Sequence, residues 1–560
     1  MKSCPECRRE YYDGSLMYCL EDGARLLGES SSPDEPATAI QIPQETDPPT
    51  RILTSPADTP PRDAANRTRD RLLRAAGALA LMAVVAIGAY IYNGRESSKQ
   101  ISSIAVLPFQ NRGDDADTQY LSEGLAESLI YRLSQLPDLK VSPTSTVFRY
   151  EGREVDPVAV GKELGVNAVL SGRIVQHGEK LTISVNLVDI RNDRLLWGEQ
   201  YDRTMSELLS TQREIAREIV EKLRLKVSPD EKGLTKSYTE SNQAYQMYLK
   251  GRFYWNKRTD ESMHRSIDYY KQAIEADPAF ALAYSGLADT YNLISAPEAG
   301  GGSESPNDVL PKAKAAATRA LEIDPDLAEA HVSLAHSLYY YDRDFPGAER
   351  EFKKAIELDP RYAVGHHWYA VFLTVSGRFD EALAEIRRAQ ELDPLSLSIN
   401  AWVGWILSLA GQNEQALEQL LKTKEMDPAF RITLHRLALV YADQGMFDKA
   451  IAEAKELSRV SDGRLGTLTL AYIYAQAGMR REALEQVNSR IEMSKNSFVS
   501  PASIGMVYAL LGDKDTAFKW LERANDEHDL LVLRVKHDPR FRSLRGDPRL
   551  DDLMRRMRLP

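Results

Sequence analysis

The chain has 560 residues and a formal net charge of −11, with 82 acidic against 71 basic side chains. That length leaves room for several domains, and the acidic balance argues against a general nucleic-acid binder, which presents a basic face. Its three cysteines, Cys4, Cys7 and Cys19, cluster at the start of the sequence, which excludes a disulfide framework for the rest.

Cys4 and Cys7 form a C-x-x-C knuckle, and Cys19 and Asp22 repeat the spacing with a carboxylate in the last place. Tetrahedral zinc takes four ligands, and carboxylate oxygen is one that it accepts. Asp13-Gly14 offers a hairpin turn between the two pairs. Residues 1–27 resemble a short zinc ribbon, which implies one structural zinc on Cys4, Cys7, Cys19 and Asp22. Asp22 stands where the ribbon pattern has cysteine. The alternative is a hairpin of the same kind with weak zinc binding or none, because Asp is the harder ligand. Residues 28–70 are rich in Pro, Ser and Thr and read as a disordered linker.

Residues 75–92, AAGALALMAVVAIGAYIY, carry no charge. As a helix they would span about 27 Å, enough to cross a bilayer core. Arg62, Arg67, Arg69, Arg71 and Arg74 precede the segment, whereas only Arg95 and Lys99 follow closely. The positive-inside rule then predicts a single-pass protein of the inner membrane, with its N-terminus cytoplasmic and its later domains extracytoplasmic.

Residues 101–228 predict an α/β domain. SIAVLPF (103–109) is a short β-rich run, and 118–136 has helical spacing through Tyr120, Leu121, Leu125, Leu129, Leu133 and Leu136. Lys140–Phe148 is a strand candidate and Val155–Leu164 a short helix. Ala168–Gln176 and Leu181–Asp189 form a hairpin about His177-Gly178, with Leu181, Ile183, Val185 and Leu187 alternating with polar residues. Arg194–Tyr201 adds a strand, and Met205–Leu225 a closing helix. The runs IAVLPFQN, YLSEGLAESLIYRLSQLPDLKV and ELGVNAVLSGRIVQHGEKLTISVNLVDIRNDRLLWGEQYDR resemble the TolB-like N-terminal domain, which is related to the FlgO domain. That resemblance implies a fold and a bacterial envelope or signalling context, and no reaction.

From residue 241 the sequence is periodic. Asp-Pro recurs at Asp277, Asp324, Asp359, Asp393 and Asp427, the last three intervals being 35, 34 and 34 residues. A small residue recurs at Ser266, Ala313, Ala348, Ala382, Ala416, Ala450, Ala483 and Ala517, and a glycine at Gly377, Gly411, Gly445, Gly478 and Gly512. This pattern is identified as a tetratricopeptide repeat array of about eight copies over 241–530, with a Gly-rich insertion at 297–306. Such repeats build binding surfaces. The fold class expected is therefore multidomain: an α-helical solenoid preceded by the α/β domain, the apolar helix and the ribbon-like segment. Residues 531–560 are expected to cap the last repeat.

The inner face of such a solenoid is expected to carry Tyr248, Arg252, Trp255, Asp289, His336, Tyr339, His367, Trp405, His435 and Tyr472. This set is aromatic and weakly charged. It predicts either a groove for a protein or peptide with apolar anchors or packing within the chain. His336, His367 and His435 come from different repeats with no clustered carboxylate, which does not make a metal site.

No phosphate-binding loop, kinase motif set, G-x-S-x-G or H-E-x-x-H occurs, and Gly300-Gly301-Gly302 does not link a strand to a helix. The sequence therefore predicts a non-enzymatic, membrane-anchored scaffold that binds proteins through its solenoid, with nucleic acid not expected as a partner. The alternative is a signalling protein that relays partner binding to the cytoplasmic ribbon.

Overall fold

The computed structural model describes residues 2–3, 10–11, 27–28, 101–111, 118–223, 225, 238–296, 304–461, 463–493 and 498–560. The chain divides into two units, Met1–Tyr90 and Ile91–Pro560. In the first, β1 (Lys2–Ser3) pairs antiparallel with β2 (Glu10–Tyr11) and β3 (Leu27–Gly28), in the order β2-β1-β3. The four expected zinc ligands, the Asp13-Gly14 turn, the linker from residue 29 onward and the apolar run 75–92 lie outside the described residues.

The second unit begins with a mixed sheet. Strands β4 (Ser103–Val106), β6 (Lys140–Val141), β7 (Ala168–His177), β8 (Lys180–Asp189) and β9 (Arg194–Thr204) run in the order β6-β4-β7-β8-β9, and β5 (Gln110–Asn111) pairs with β7. The β4 pairings are parallel, while β7, β8 and β9 form an antiparallel meander. Gly178 makes the β7–β8 turn with φ of 60°, a region that favours glycine. Helix α1 (Gln119–Ser134) buries Leu121, Leu125, Leu129 and Leu133, one stripe at four-residue spacing. Helix α2 (Pro157–Leu164) starts on Asp156, whose carboxylate accepts from the Val158 and Ala159 N–H groups at 3.1 and 3.2 Å. Helix α3 (Leu208–Lys222) closes the module. The strand expected over Lys140–Phe148 stops at Val141, and Thr144–Val147 is a helical turn. Pro143, without an N–H, cannot continue the ladder.

Among the described residues sixteen helices follow, paired as hairpins: α4 (Asn242–Asn256) with α5 (Asp260–Ala276), α6 (Ala281–Ile294) with α7 (Pro306–Ile323), α8 (Ala328–Ser337) with α9 (Phe345–Leu358), and α10 (Ala363–Val375) with α11 (Phe379–Leu392). Next come α12 (Leu397–Leu409) with α13 (Asn413–Met426), α14 (Arg431–Asp443) with α15 (Phe447–Val460), α16 (Arg464–Gln476) with α17 (Arg480–Met493), and α18 (Pro501–Leu510) with α19 (Lys514–Asp526). Each hairpin packs on the next, which makes a helical solenoid of the tetratricopeptide type. The expected small residues, from Ser266 to Ala517, are each fully buried, and small residues sit at the tight contacts. A Cβ on Gly251 or Gly286 would come 2.6 or 2.5 Å from the Tyr270 ring, which lies between them. One interval is 35 rather than 34 because α8 runs into a π turn, Leu338–Asp342, which takes up the extra residue. Arg343 then adopts φ of 57°, at the place where later repeats have Gly377, Gly411 and Gly445.

The membrane expectation is corrected. Among the described residues no helix is long and apolar enough to cross a membrane. Helices α6, α10, α12 and α14 are buried on nearly all sides but have only 13 or 14 residues, while α9, α11 and α15 bury one face on a neighbour. Even α7, with 18 residues, carries Asp308, Lys312, Lys314, Arg319 and Glu322. A single-pass inner-membrane placement is therefore not supported, and nothing below depends on it.

Candidate functional site

Two parts of the chain lie against the solenoid and shape its site. The first is the α/β module. Tyr245, Leu249 and Phe253 of α4 belong to the module's own apolar core. Arg252 pairs with Glu127 on α1, the Tyr245 hydroxyl donates to Ser128 Oγ at 2.8 Å, and Asn256 donates to Glu127 at 3.3 Å. The module reaches later repeats as well. The Arg361 guanidinium donates to the carbonyl oxygens of Leu136 and Leu139 at 2.9 and 3.3 Å and to that of Ser134, and the Ser145 hydroxyl donates to Asp393.

The second part is the tail. Two 3-10 turns, Leu530–Arg534 and Pro539–Leu544, bury Val532, Leu533, Phe541 and Leu544 in the same apolar cluster as the solenoid helices. Arg540 is bonded to Asp538, both being buried, and its guanidinium lies 4.9 Å from the Trp405 ring and 5.4 Å from that of Tyr472. Arg534 lies 5.5 Å from the Trp402 ring, and His528 stacks on Tyr341 at 4.6 Å. Helix α20 (Pro548–Arg556) then lies on α19 through Arg549–Asp515 and Arg556–Glu522 ion pairs. The segment expected to cap the last repeat thus also contacts earlier ones.

Between the module, the first six repeats and the tail is a cavity of about 1480 Å³. Of the expected inner-face residues, Tyr248, Arg252, Trp255, Asp289, His336 and His367 line it. The others do not. Tyr339 is fully buried, with Tyr340, Phe352 and Phe372 around its ring. Trp405 is 2 % exposed beneath the tail. His435 Nδ1 contacts Thr469 Oγ at 2.9 Å, and the Tyr472 hydroxyl donates to Asp443. Six of the set thus line the cavity, and the other four are packed within the chain.

Sequence reasoning missed Arg258, Trp368 and Trp402, which also line the cavity. Trp368 and Trp402 stand 34 residues apart, and Arg436 lies a further 34 on, with its guanidinium 4.1 Å from the Trp402 ring. That periodic column was the signal available.

Burial sets the electrostatics. It pushes the Asp289 carboxyl up to about 6 against the Ser333 hydroxyl bonded to it, and Glu329 up to about 7. It pushes His336 down to about 3, and His367 equally, with Arg436 and Arg258 adding to the effect there. Both imidazoles are neutral at neutral pH. Burial and then Arg252 lower Arg258 to about 10. Among the described residues, no three His, Cys, Asp or Glu side chains converge on a metal position.

Residues 99–219 match the family described as HilA/YgeH-like transcriptional regulator, second domain. A curated relative, "Putative adenylate cyclase 3" of Rhizobium meliloti (strain 1021), is 29% identical over 245 residues, which is 43% of this chain and 41% of that protein. The chain thus spans about two fifths of that relative's length. Similar solved structures include Pseudomonas aeruginosa pilF (20% identity, 40% of this chain, 94% of that one, TM-score 0.30). YrrB, a TPR protein, aligns at 23% identity over 35% of this chain and 95% of its own, with a TM-score of 0.24. Yeast Tom70 aligns at 17% identity over 62% of this chain and 76% of its own, with a TM-score of 0.36.

Proposed function

We propose that this chain is a non-enzymatic scaffold that takes a protein or peptide partner into the cavity between its α/β module and its first six repeats. The observation that carries this reading is the cavity itself, about 1480 Å³ with aromatic and polar side chains on its walls. Small-ligand pockets usually run to roughly 300–1,000 Å³, so there is room for a stretch of several residues. The cyclase activity in the relative's name belongs to that protein, and none is assigned here. A second reading is regulatory: partner binding is relayed through the module to the N-terminal segment. The likeness of residues 99–219 to a domain of transcriptional regulators favours it.

Photo-crosslinking tests the scaffold reading. A photoreactive residue is placed at Met426, which is exposed and lines the cavity, or at Met479, which is exposed and does not. The expected result is a partner joined to position 426 and absent from 479 in cells of the source organism. Equal labelling at both positions, or none at 426, rejects it.

A further inference from the structure

Arg361 is a basic residue at a repeat position that is otherwise not basic. It stands two residues after Asp359, where the other Asp-Pro turns of the periodic series have Ala279, Asp326, Leu395 and Ala429. Its guanidinium reaches the end of α1, where it donates to the Leu136 and Leu139 carbonyl oxygens at 2.9 and 3.3 Å and to that of Ser134. The last carbonyls of a helix have no partner within it and carry its partial negative charge, so a cation suits them. In the next repeat the Asp393 carboxylate, itself part of an Asp-Pro turn, accepts from the Ser145 hydroxyl. Ser134, Leu139, Ser145, Arg361 and Asp393 all line the cavity, so both contacts lie on its wall.

The module is held differently on its two sides. Toward the first repeats the grip is apolar. Tyr245, Leu249 and Phe253 of α4 lie in the module's own core, and Tyr131 of α1 packs against the cluster that holds Ala244 and Phe280. Toward the fourth and fifth hairpins, among the described residues, no apolar cluster joins the module to α10, α11 or α12. Arg361, Ser145 and Asp393 are each only part-buried. Exchanging such hydrogen bonds for bonds to water has a small net cost, whereas parting the other side would expose Leu249 and Tyr245, now 1 % and 4 % exposed. Leu136 and Leu139 are buried in the module's core, so the segment from Ser134 to Ser145 moves with the module. The polar side is therefore the one that opens, with α4 as the pivot.

We propose that Arg361 and Asp393 latch the α/β module shut over the cavity, and that release of this latch tilts the module on α4 and admits the partner. The proposal rests on reading the cavity as the partner's site. It adds a closed and an open state, between which a partner selects by binding them unequally.

Both tests use the full chain with Cys4, Cys7 and Cys19 replaced by serine, so that introduced cysteines are its only thiols. In the first, spin labels on Glu179→Cys and Ala384→Cys, at exposed positions of the module and of α11, report the distance between them. Arg361→Ala combined with Ser145→Ala should add a second, longer distance, at about ten times its share in the chain with the latch intact, as for loss of a charge-assisted hydrogen bond. One unchanged distance in the folded double variant overturns the proposal. In the second test, Ser145→Cys and Asp393→Cys are joined as a disulfide, which holds the module in place, and capture at position 426 is read before and after reduction. Capture should be lower by about tenfold or more in the oxidised chain and return on reduction. The reduced chain is its own control for folding, which covers the case in which the alanine variant does not fold. Equal capture in the two forms overturns the proposal and leaves the scaffold reading standing. If position 426 captures nothing in any form, the scaffold reading fails, and the spin-label distances decide the latch.

Discussion

His331 Nδ1 lies 2.6 Å from a carboxylate oxygen of Glu351, and its Nε2 lies 2.9 Å from the Pro325 carbonyl oxygen. One repeat later His366 makes the same two contacts, with Glu385 at 2.6 Å and the Pro360 carbonyl at 3.1 Å. In the next repeat Asn400 takes over, bonded to Gln419 at 2.9 Å and to the Pro394 carbonyl at 2.8 Å. One position thus ties the first helix of a repeat to its second helix and to the Asp-Pro turn before it. The turn is braced from the other side too, since Asp359 accepts from the Arg361 N–H at 2.9 Å and Asp427 from the Ala429 N–H at 2.9 Å.

This latch predicts a pH effect. Burial opposes charge on His331, but the Glu351 carboxylate and the Pro325 carbonyl outweigh it, and the ring titrates above its ordinary value. Its contribution is fully present below the unfolded value, about 6.5, and is lost as pH rises through the folded value. Asp289 and Glu329, also raised, act in the same direction, whereas His336 and His367, lowered, favour the fold as pH rises through about 6.5. The clean readout is therefore a difference. Between about pH 6 and about pH 8 the wild-type melting temperature should fall relative to that of His331→Gln. Parallel curves would remove His331 from the account.

Trp405→Ala and Tyr339→Ala should act on stability before binding. Both side chains are at most 2 % exposed and lie outside the cavity walls. Emptying such positions costs about 3–5 kcal/mol. Chemical denaturation should show that loss as a lower midpoint. A midpoint like that of the wild type would contradict the packing described for either ring.

What was legible in the sequence follows the range of the interactions. Asp-Pro turns, left-handed glycines and small contact residues are set within one repeat, so the period revealed them. Whether Trp405 or His367 faces a cavity depends on residues 530–545 and on the α/β module, far away in sequence. Trp405 lies under Arg540, while His367 is open to the cavity. Periodicity could not distinguish them. The 35-residue interval was visible, but its accommodation by a π turn depends on local backbone geometry. Arg258 sits among the residues between α4 and α5, where no repeat signature marks it.

Gly377 and Gly411 occupy equivalent positions and should respond differently to alanine. Both have left-handed φ, 75° and 80°, so each substitution carries a backbone cost of about 1 kcal/mol. At Gly411 nothing lies within 4 Å of the added Cβ. At Gly377 it would come 2.4 Å from the His537 ring, which contacts Phe379 at 6.0 Å between centroids. Gly377→Ala should therefore lower the melting temperature more than Gly411→Ala and increase amide exchange around residue 537. Equal effects would mean that His537 moves aside freely.

Arg540 tests how firmly the tail is held. Its side chain is 5 % exposed and that of Asp538 is 1 %, so Arg540→Ala leaves a buried carboxylate without its main partner. Breaking such a pair from one side costs about 3–5 kcal/mol, whereas replacing both partners with residues of similar volume is often close to neutral. Arg540→Ala should therefore destabilise the protein and speed amide exchange over residues 530–545. Arg540→Met combined with Asp538→Asn should recover most of the loss, because the methionine still covers the Trp405 and Tyr472 rings and the amide oxygen of the new asparagine can still accept from the backbone N–H at position 540, which Asp538 binds at 3.0 Å. If the single variant exchanges like the wild type, the charge pair does not hold the tail. Apolar burial of Val532, Leu533, Phe541 and Leu544 would then be sufficient to dock it.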